Sequence, residues 1–473
     1  LAGKRPINAE VPTAKPEDSP KAESATPSPQ AKPAETGVKQ AKAEKPAAPK
    51  PAPATPPPTA VKRKRKPVPG ALKAIGALVL VAVVFLVAAV LGGGGSNKQD
   101  EKPAPAPVQA TPEPAPEEKQ TPTAEAAEEL GYPSFATNNT TRVGGSDAAT
   151  TAAGVALAVF PSAKVAQRPA AVTLVDEDDW QGAVAAAVLM SAPVRAPLLV
   201  SSGGDLPEPT SQALETLDPQ GSSATEKAQA FVIGDAAAPD GLRTSRAKGT
   251  NPAALAVAIE ALRDKLFGDA PQHIILAPES KSEFAAPAAA WAARSGDAVL
   301  FSGLDKLPRE TAAALSKDPK TPVFVLGPSA AISSDVVREV AKIGNPVQRV
   351  SGEDPVEGSI ALARYASDGF GWNVNDPGHG LVVARSDEPI EAAIAAPLSA
   401  SGTWGPLLLT DDADTLPKAL REYLLDIKPG YTTDPTRAFY NHVWVIGDQE
   451  AIDVNQQAEI DQLAELAKIG GEP

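Results

Sequence analysis

The chain has 473 residues, 50 of them proline and only 4% aromatic, with no cysteine, three histidines and a formal net charge of −14. Lack of cysteine excludes disulfide scaffolds, thiolate metal sites, cysteine nucleophiles and a lipidated-cysteine anchor. Residues 1–70 carry 14 Lys+Arg against 6 Asp+Glu and residues 71–133 carry 4 against 8, which leaves residues 134–473 at −18; a region so acidic repels phosphate backbones, so no nucleic-acid partner is expected.

From the N-terminus, residues 1–70 are a Pro/Ala/Lys mixture with 16 prolines. Such a segment buries too little apolar surface to offset chain entropy and reads as a disordered tail. Residues 71–91 follow as a transmembrane helix. Within them Ala74 to Leu91 is an uncharged apolar run, and at about 1.5 Å per residue it approaches the thickness of a hydrocarbon core. The basic cluster Lys62-Arg63-Lys64-Arg65-Lys66 precedes that run, and net-acidic sequence follows it. The positive-inside rule then places the tail in the cytoplasm and everything after Leu91 outside. A cleaved signal peptide is the rival reading, but its basic region would be unusually long. Residues 92–133 hold Pro103-Ala-Pro-Ala-Pro107 and read as a Pro/Glu-rich stalk.

Beyond the stalk the sequence repeats itself three times. A first apolar run recurs at Val172–Val175, Ile274–Ala277 and Leu381–Ala384, each followed by a small-residue helix. A second recurs at Pro197–Val200, Ala298–Phe301 and Pro406–Leu409, then a Leu-Pro pair at Leu206, Leu307 and Leu416. A third run ends in glycine at Gly234, Gly327 and Gly447. Continuously apolar strands alternating with helices predict parallel sheets covered on both faces. The expected fold is therefore α/β, with three tandem small doubly wound parallel-sheet (Rossmann/flavodoxin-like) repeats at 134–248, 249–348 (divergent) and 349–473.

Two openings stand before the first and third copies, Arg142-Val-Gly-Gly-Ser-Asp147 and Arg349-Val-Ser-Gly-Glu-Asp354. Together with Ala395-Ala-Pro-Leu398, Pro406-Leu-Leu-Leu-Thr410 and Val445-Ile-Gly447, they make residues 142–469 resemble the cell wall-binding repeat 2 family. The resemblance implies a non-catalytic module of three associated repeats that holds a surface protein to a cell-wall polysaccharide or anionic wall polymer. It departs from the family where Ala148-Ala149 and Pro355-Val356 stand in place of the usual Arg-Tyr after the opening. The acidic ectodomain also needs local cations or bridging divalent ions to meet an anionic polymer; no other cofactor is expected.

Two alternatives stay open on the residues alone: an exported wall-glycan hydrolase or its regulator, and a protein-binding extracytoplasmic scaffold. Against an enzyme, neither phosphate-binding glycine loop nor Ser nucleophile elbow occurs, and the three copies use up the sequence beyond the stalk. Asp176-Glu-Asp-Asp179 could ligate a hard cation, but acids are equally at home at a helix N-terminus. His273, His379 and His442 read as loop or strand-edge polar residues. Doubly wound sheets bind ligands beyond the carboxyl ends of their strands. On that rule, and on the family's Pro-Ile-Leu-Leu strand, the wall-polymer candidates are Arg142, Asp147, Arg349, Asp354, Pro197, Leu198, Leu199, Pro406, Leu407, Leu408 and Thr410. The leucines among them also read as plain buried core.

Overall fold

The computed structural model describes residues 135–470. The tail (1–70), the membrane helix (71–91) and the stalk (92–133) expected from sequence lie outside the described residues. Among the described residues no helix is long and apolar enough to cross a membrane.

The apolar runs are strands. In chain order the first segment gives β1 (Phe135–Ala136), β2 (Thr140–Val143), β3 (Val172–Asp176), β4 (Leu198–Ser201), β5 (Ala230–Ile233) and β6 (Thr244–Ala247). Next come β7 (Ile274–Pro278), β8 (Ala298–Ser302), β9 (Val323–Leu326) and β10 (Val347–Val350), then β11 (Gly380–Arg385), β12 (Leu407–Thr410), β13 (Gly430–Tyr431), β14 (His442–Ile446) and β15 (Ala467–Lys468). Three larger parallel sheets result, ordered β4-β3-β5-β6, β8-β7-β9-β10 and β12-β11-β14-β2, the last extended by the antiparallel β1, and β13 pairs with β15 in a separate two-stranded parallel sheet. The order is the same in all three, so the mixed α/β architecture with parallel sheets stands as expected.

The fourth strand of each sheet was not visible as an apolar run. Thr244 and Arg246 of β6 are exposed and Gln348 of β10 likewise, as suits short polar edge strands that discourage pairing with other chains. Their placement also cuts across the expected copy boundaries. The Arg349 strand, taken as the opening of the third copy, is β10 and pairs with β9 of the second sheet, Arg349 opposite Val325. The Arg142 strand, taken as the opening of the first, is β2 and pairs with β14, Thr140 opposite Val443 and Val143 opposite Ile446. One sheet is thus assembled from the two ends of the described chain.

The helices interlock the sheets. They are α1 (Ala148–Val159), α2 (Trp180–Ala186), α3 (Glu208–Leu217), α4 (Pro252–Phe267), α5 (Ser282–Ala285), α6 (Pro287–Ser295), α7 (Arg309–Leu315), α8 (Ser334–Ile343), α9 (Pro355–Arg364), α10 (Pro389–Ile394), α11 (Ala396–Ala400), α12 (Lys418–Asp426) and α13 (Val454–Ala464). The helix after each fourth strand crosses to the next sheet. Helix α1 packs on β4 and α3, α4 on β8 and α7, and α9 on β12 and α12. At the centre, α6 meets α11 and the 3-10 turn Ala187–Met190. Ala285, Ala286, Ala288, Ala289, Ala290, Ala292 and Ala293 are all buried there, and only side chains this small let helices and sheets close to such density. The small-residue helices that follow β7 and β11 are each broken in two, with Pro287 and Pro397 in the first turn of the second piece, where a missing N–H is harmless. One continuous apolar core runs through all three sheets.

Candidate functional site

The structure gives most of the sequence candidates jobs in holding the fold. Arg142 is 1% exposed. Its Nε donates to Gln457 Oε1 at 3.1 Å and its Nη1 to the Gly447 carbonyl at 3.0 Å, with further bonds to the Asp448 and Ile452 carbonyls. Arg349 repeats this in the second sheet, donating to the Gly327 and Ile332 carbonyls at 2.6 Å each. The first sheet has the same device in Arg246, which donates to Gly234 O at 2.9 Å and Ala236 O at 3.1 Å. Sequence reasoning missed Arg246. Its signal is Arg246-Ala-Lys-Gly-Thr-Asn251, the same opening with Asn in place of the final Asp.

Those final residues cap the crossing helices. Asp147 accepts from Thr150 N, Asn251 from Ala254 N and Asp354 from Glu357 N, each at 2.8 Å. Pro197, Leu198, Leu199, Pro406, Leu407 and Leu408 are buried, and the Pro197 and Pro406 carbonyls accept ladder bonds from Thr173 and Val382. Thr410 is buried and turns its hydroxyl to the Asp412 carbonyl at 3.1 Å. Of the eleven candidates, only Asp147 lines one of the crevices described below.

The acidic run after β3 is spent locally. Asp176 accepts from Ser201 Oγ at 3.3 Å and Asp179 caps α2 through Gly182 N at 2.8 Å. Among the described residues no group of three or more His, Asp or Glu is arranged to hold a metal ion. His273 is no loose edge residue. It is buried, with Nδ1 3.1 Å from Asp297 Oδ2 and Nε2 3.0 Å from the Asp368 carbonyl, in a cluster with Trp291, Phe324 and Phe370.

The carboxyl ends of the strands do form crevices. Over the third sheet a cavity of about 430 Å³ lies where β2, β11, β12 and β14 all end. Its walls include Asp147, Arg385, Asp387, Glu388, Glu391, Asp448 and Glu450. Arg385 is committed to Asp387 through two bonds of 2.8 Å, and that contact holds the Asp387 carboxyl below its ordinary range. Glu391 is the group the sequence did not single out. Burial, then the neighbouring Glu388, pushes its carboxyl up to about 7, while a hydrogen bond from Thr151 works the other way. A second crevice, about 630 Å³, lies over the second sheet between Asn251–Ala253, Glu279 and Ser280, and the loop with Lys306 and Arg309.

No protein-family model and no curated protein sequence matches the chain. Among solved structures, Cwp6 from Clostridium difficile superposes with a TM-score of 0.55 at 19% identity, covering 69% of this chain and 47% of Cwp6. Cwp8 from Clostridium difficile gives 0.54 at 20% identity, covering 69% and 52%. The chain spans about half the length of these proteins. Similarity at this identity establishes a shared fold.

Proposed function

We propose that the chain is a non-catalytic cell-surface protein that associates with the cell wall through three repeats of the cell wall-binding repeat 2 kind. In this reading residues 71–91 anchor it in the bilayer, with its N-terminus cytoplasmic and the repeats on the wall side. The observation that carries the proposal is the shared fold with Cwp6 and Cwp8, both cell wall proteins, over a region whose sequence bears the Arg-x-x-Gly-x-Asp and Pro-Leu-Leu motifs. Three sheets of one strand order support the repeat reading. Because Arg142, Arg349, Asp354, Thr410 and the Pro-Leu-Leu strands are absorbed by the fold, the strand-end crevices are the better place for a wall polymer. The −18 charge of residues 134–473 makes bridging divalent ions the natural mediator for an anionic one.

The test is co-sedimentation of the full chain, in detergent, with purified walls, with and without divalent ions, while soluble sugar fragments are monitored. Retention without fragment release is the expected result. Fragment release would move the reading to a hydrolase, and neither retention nor release would move it to a protein-binding scaffold.

A further inference from the structure

The three sheets differ at the amino ends of their strands, the side opposite the crevices. In the first two sheets the loops entering the second and third strands (192–197 and 219–229, then 296–297 and 316–322) hold no aromatic residue. The matching loops of the third sheet (401–406 and 427–441) hold Trp404, Tyr431, Phe439 and Tyr440. Among the described residues two aromatic side chains stay strongly exposed, and they are the neighbours Phe439 and Tyr440, at 70% and 53%.

Their surroundings are rigid. Buried Asn441 welds two loops together: its Oδ1 accepts from Gly378 N at 2.9 Å and His379 N at 3.3 Å, and its Nδ2 donates to the Ile427 carbonyl at 2.9 Å. Gly378, at φ +118°, leaves room for the Phe439 ring, whose Cδ1 lies 3.4 Å from where a Cβ would stand. Tyr440 is pinned by its hydroxyl, which donates to the Pro435 carbonyl at 2.8 Å. Next to Gly378, the His379 ring lies 5.7 Å from that of Trp404. Trp404 is itself held by the Arg294 guanidinium, 4.4 Å from its centroid, and by Trp372. Rings fixed in this way lose little freedom when a ligand settles on them.

The exposed side chains beside the two rings are hydrogen-bonding ones, among them Asp376, Thr436 and Arg437, and neither loop exposes a Val, Leu, Ile or Met. Flat apolar faces ringed by such groups complement a pyranose, which carries C–H bonds on its faces and hydroxyls around its edge. The chain enters the third sheet from the other side, since Phe135 pairs with Arg142 at the carboxyl end of β2, and the amino-end loops are clear of that entry. We propose that this face, centred on Phe439 and Tyr440, stacks on the sugar rings of a wall glycan, as a contact separate from the strand-end crevices. It rests on the wall-associated reading above and adds to it a neutral pyranose as the group recognised.

Co-sedimentation of the full chain, in detergent, with protease-stripped walls in about 0.5 M salt, where charge contacts are screened, tests this. Phe439→Ala with Tyr440→Ala is expected to weaken apparent affinity about tenfold or more at an unchanged melting temperature. Phe439→Tyr, which keeps the ring, should bind like the parent. Parent-like retention of the alanine variant overturns the aromatic face and leaves wall association standing, and so does a parent held only at low salt. A parent held by untreated walls but not by stripped ones assigns the face to a protein partner and overturns it. A parent held by no wall at all overturns both readings. If the double variant melts lower, Phe439→Ala alone, whose ring is mostly in solvent, is read against the same outcomes.

Discussion

The guanidinium of Arg142 donates to the carbonyl oxygen of Gly447 at 3.0 Å across 305 positions of sequence. That contact ties the first described strands to the end of β14, their neighbour in the third sheet. Arg246 with Gly234 and Arg349 with Gly327 hold the other two sheets in the same way. The three are not equal in burial. Arg142 serves four acceptors in a sealed site, Arg246 two at an exposed edge. Arg142→Ala should therefore cost about 3 kcal/mol or more in stability, because it strands several buried carbonyls, and Arg246→Ala about 1 kcal/mol. Denaturant titration of each variant gives the comparison, and equal losses would contradict it.

The capping residues are expected to behave alike. Asp354→Ala and Asn251→Ala should each lower stability by about 1 kcal/mol, the usual cost of losing a helix cap. Asp354→Ala should leave retention on walls unchanged, since its side chain accepts a bond from its own helix and lines neither crevice. A large retention defect in a stably folded Asp354→Ala protein would return that residue to the binding surface.

Leu407 and Leu408 are 2% and 0% exposed in β12. Replacing either with Ala should cost about 2–5 kcal/mol, the transfer and cavity terms for a buried leucine. Thermal or chemical denaturation checks this, and a loss well under 1 kcal/mol would mean the strand is less tightly enclosed than described.

His273 should make stability depend on pH in a definite direction. The hydrogen bond to Asp297 raises its ionisation above the ordinary histidine value, with burial opposing. The stability it contributes is fully present below about pH 6.5 and fades as pH rises through its higher folded value. His273→Gln should therefore be clearly less stable than the parent near about pH 6, with the gap narrowing toward alkaline pH. Melting curves across that range decide the point, and a constant gap would rule out a charged His273–Asp297 pair.

Sequence pattern carried the fold where burial is continuous. β3, β4, β7, β8, β11 and β12 were legible as apolar runs because both faces of a parallel sheet are covered. It did not carry the edges: β6 exposes Thr244 and Arg246, so nothing apolar marked it. Nor could it show which strand lies beside β2, whose neighbour β14 is some three hundred residues away. Register between distant strands is settled by packing, which local periodicity does not encode. Glu391 was invisible for another reason. In Pro389-Ile-Glu-Ala-Ala it carries no signal, and its burial beside Thr151 is made by a helix some 240 positions earlier in the chain.

The seam between β2 and β14 has a mechanical consequence. The chain preceding residue 135 joins the fold through β1 and β2, so tension travelling along it enters at that seam. Once the two-residue β1 peels away, the pull reaches Asn139 and Thr140, whose amides are held by Asp461 at 2.8 and 3.0 Å. Behind them stands the Gln457–Thr140 bond at 3.0 Å and then the Arg142 cluster. Asp461 and Gln457 both belong to α13, the last helix. A force applied at the front of the folded region is thus resisted by its rear. A fold pulled at its leading end cannot be unravelled without first tearing loose its trailing one.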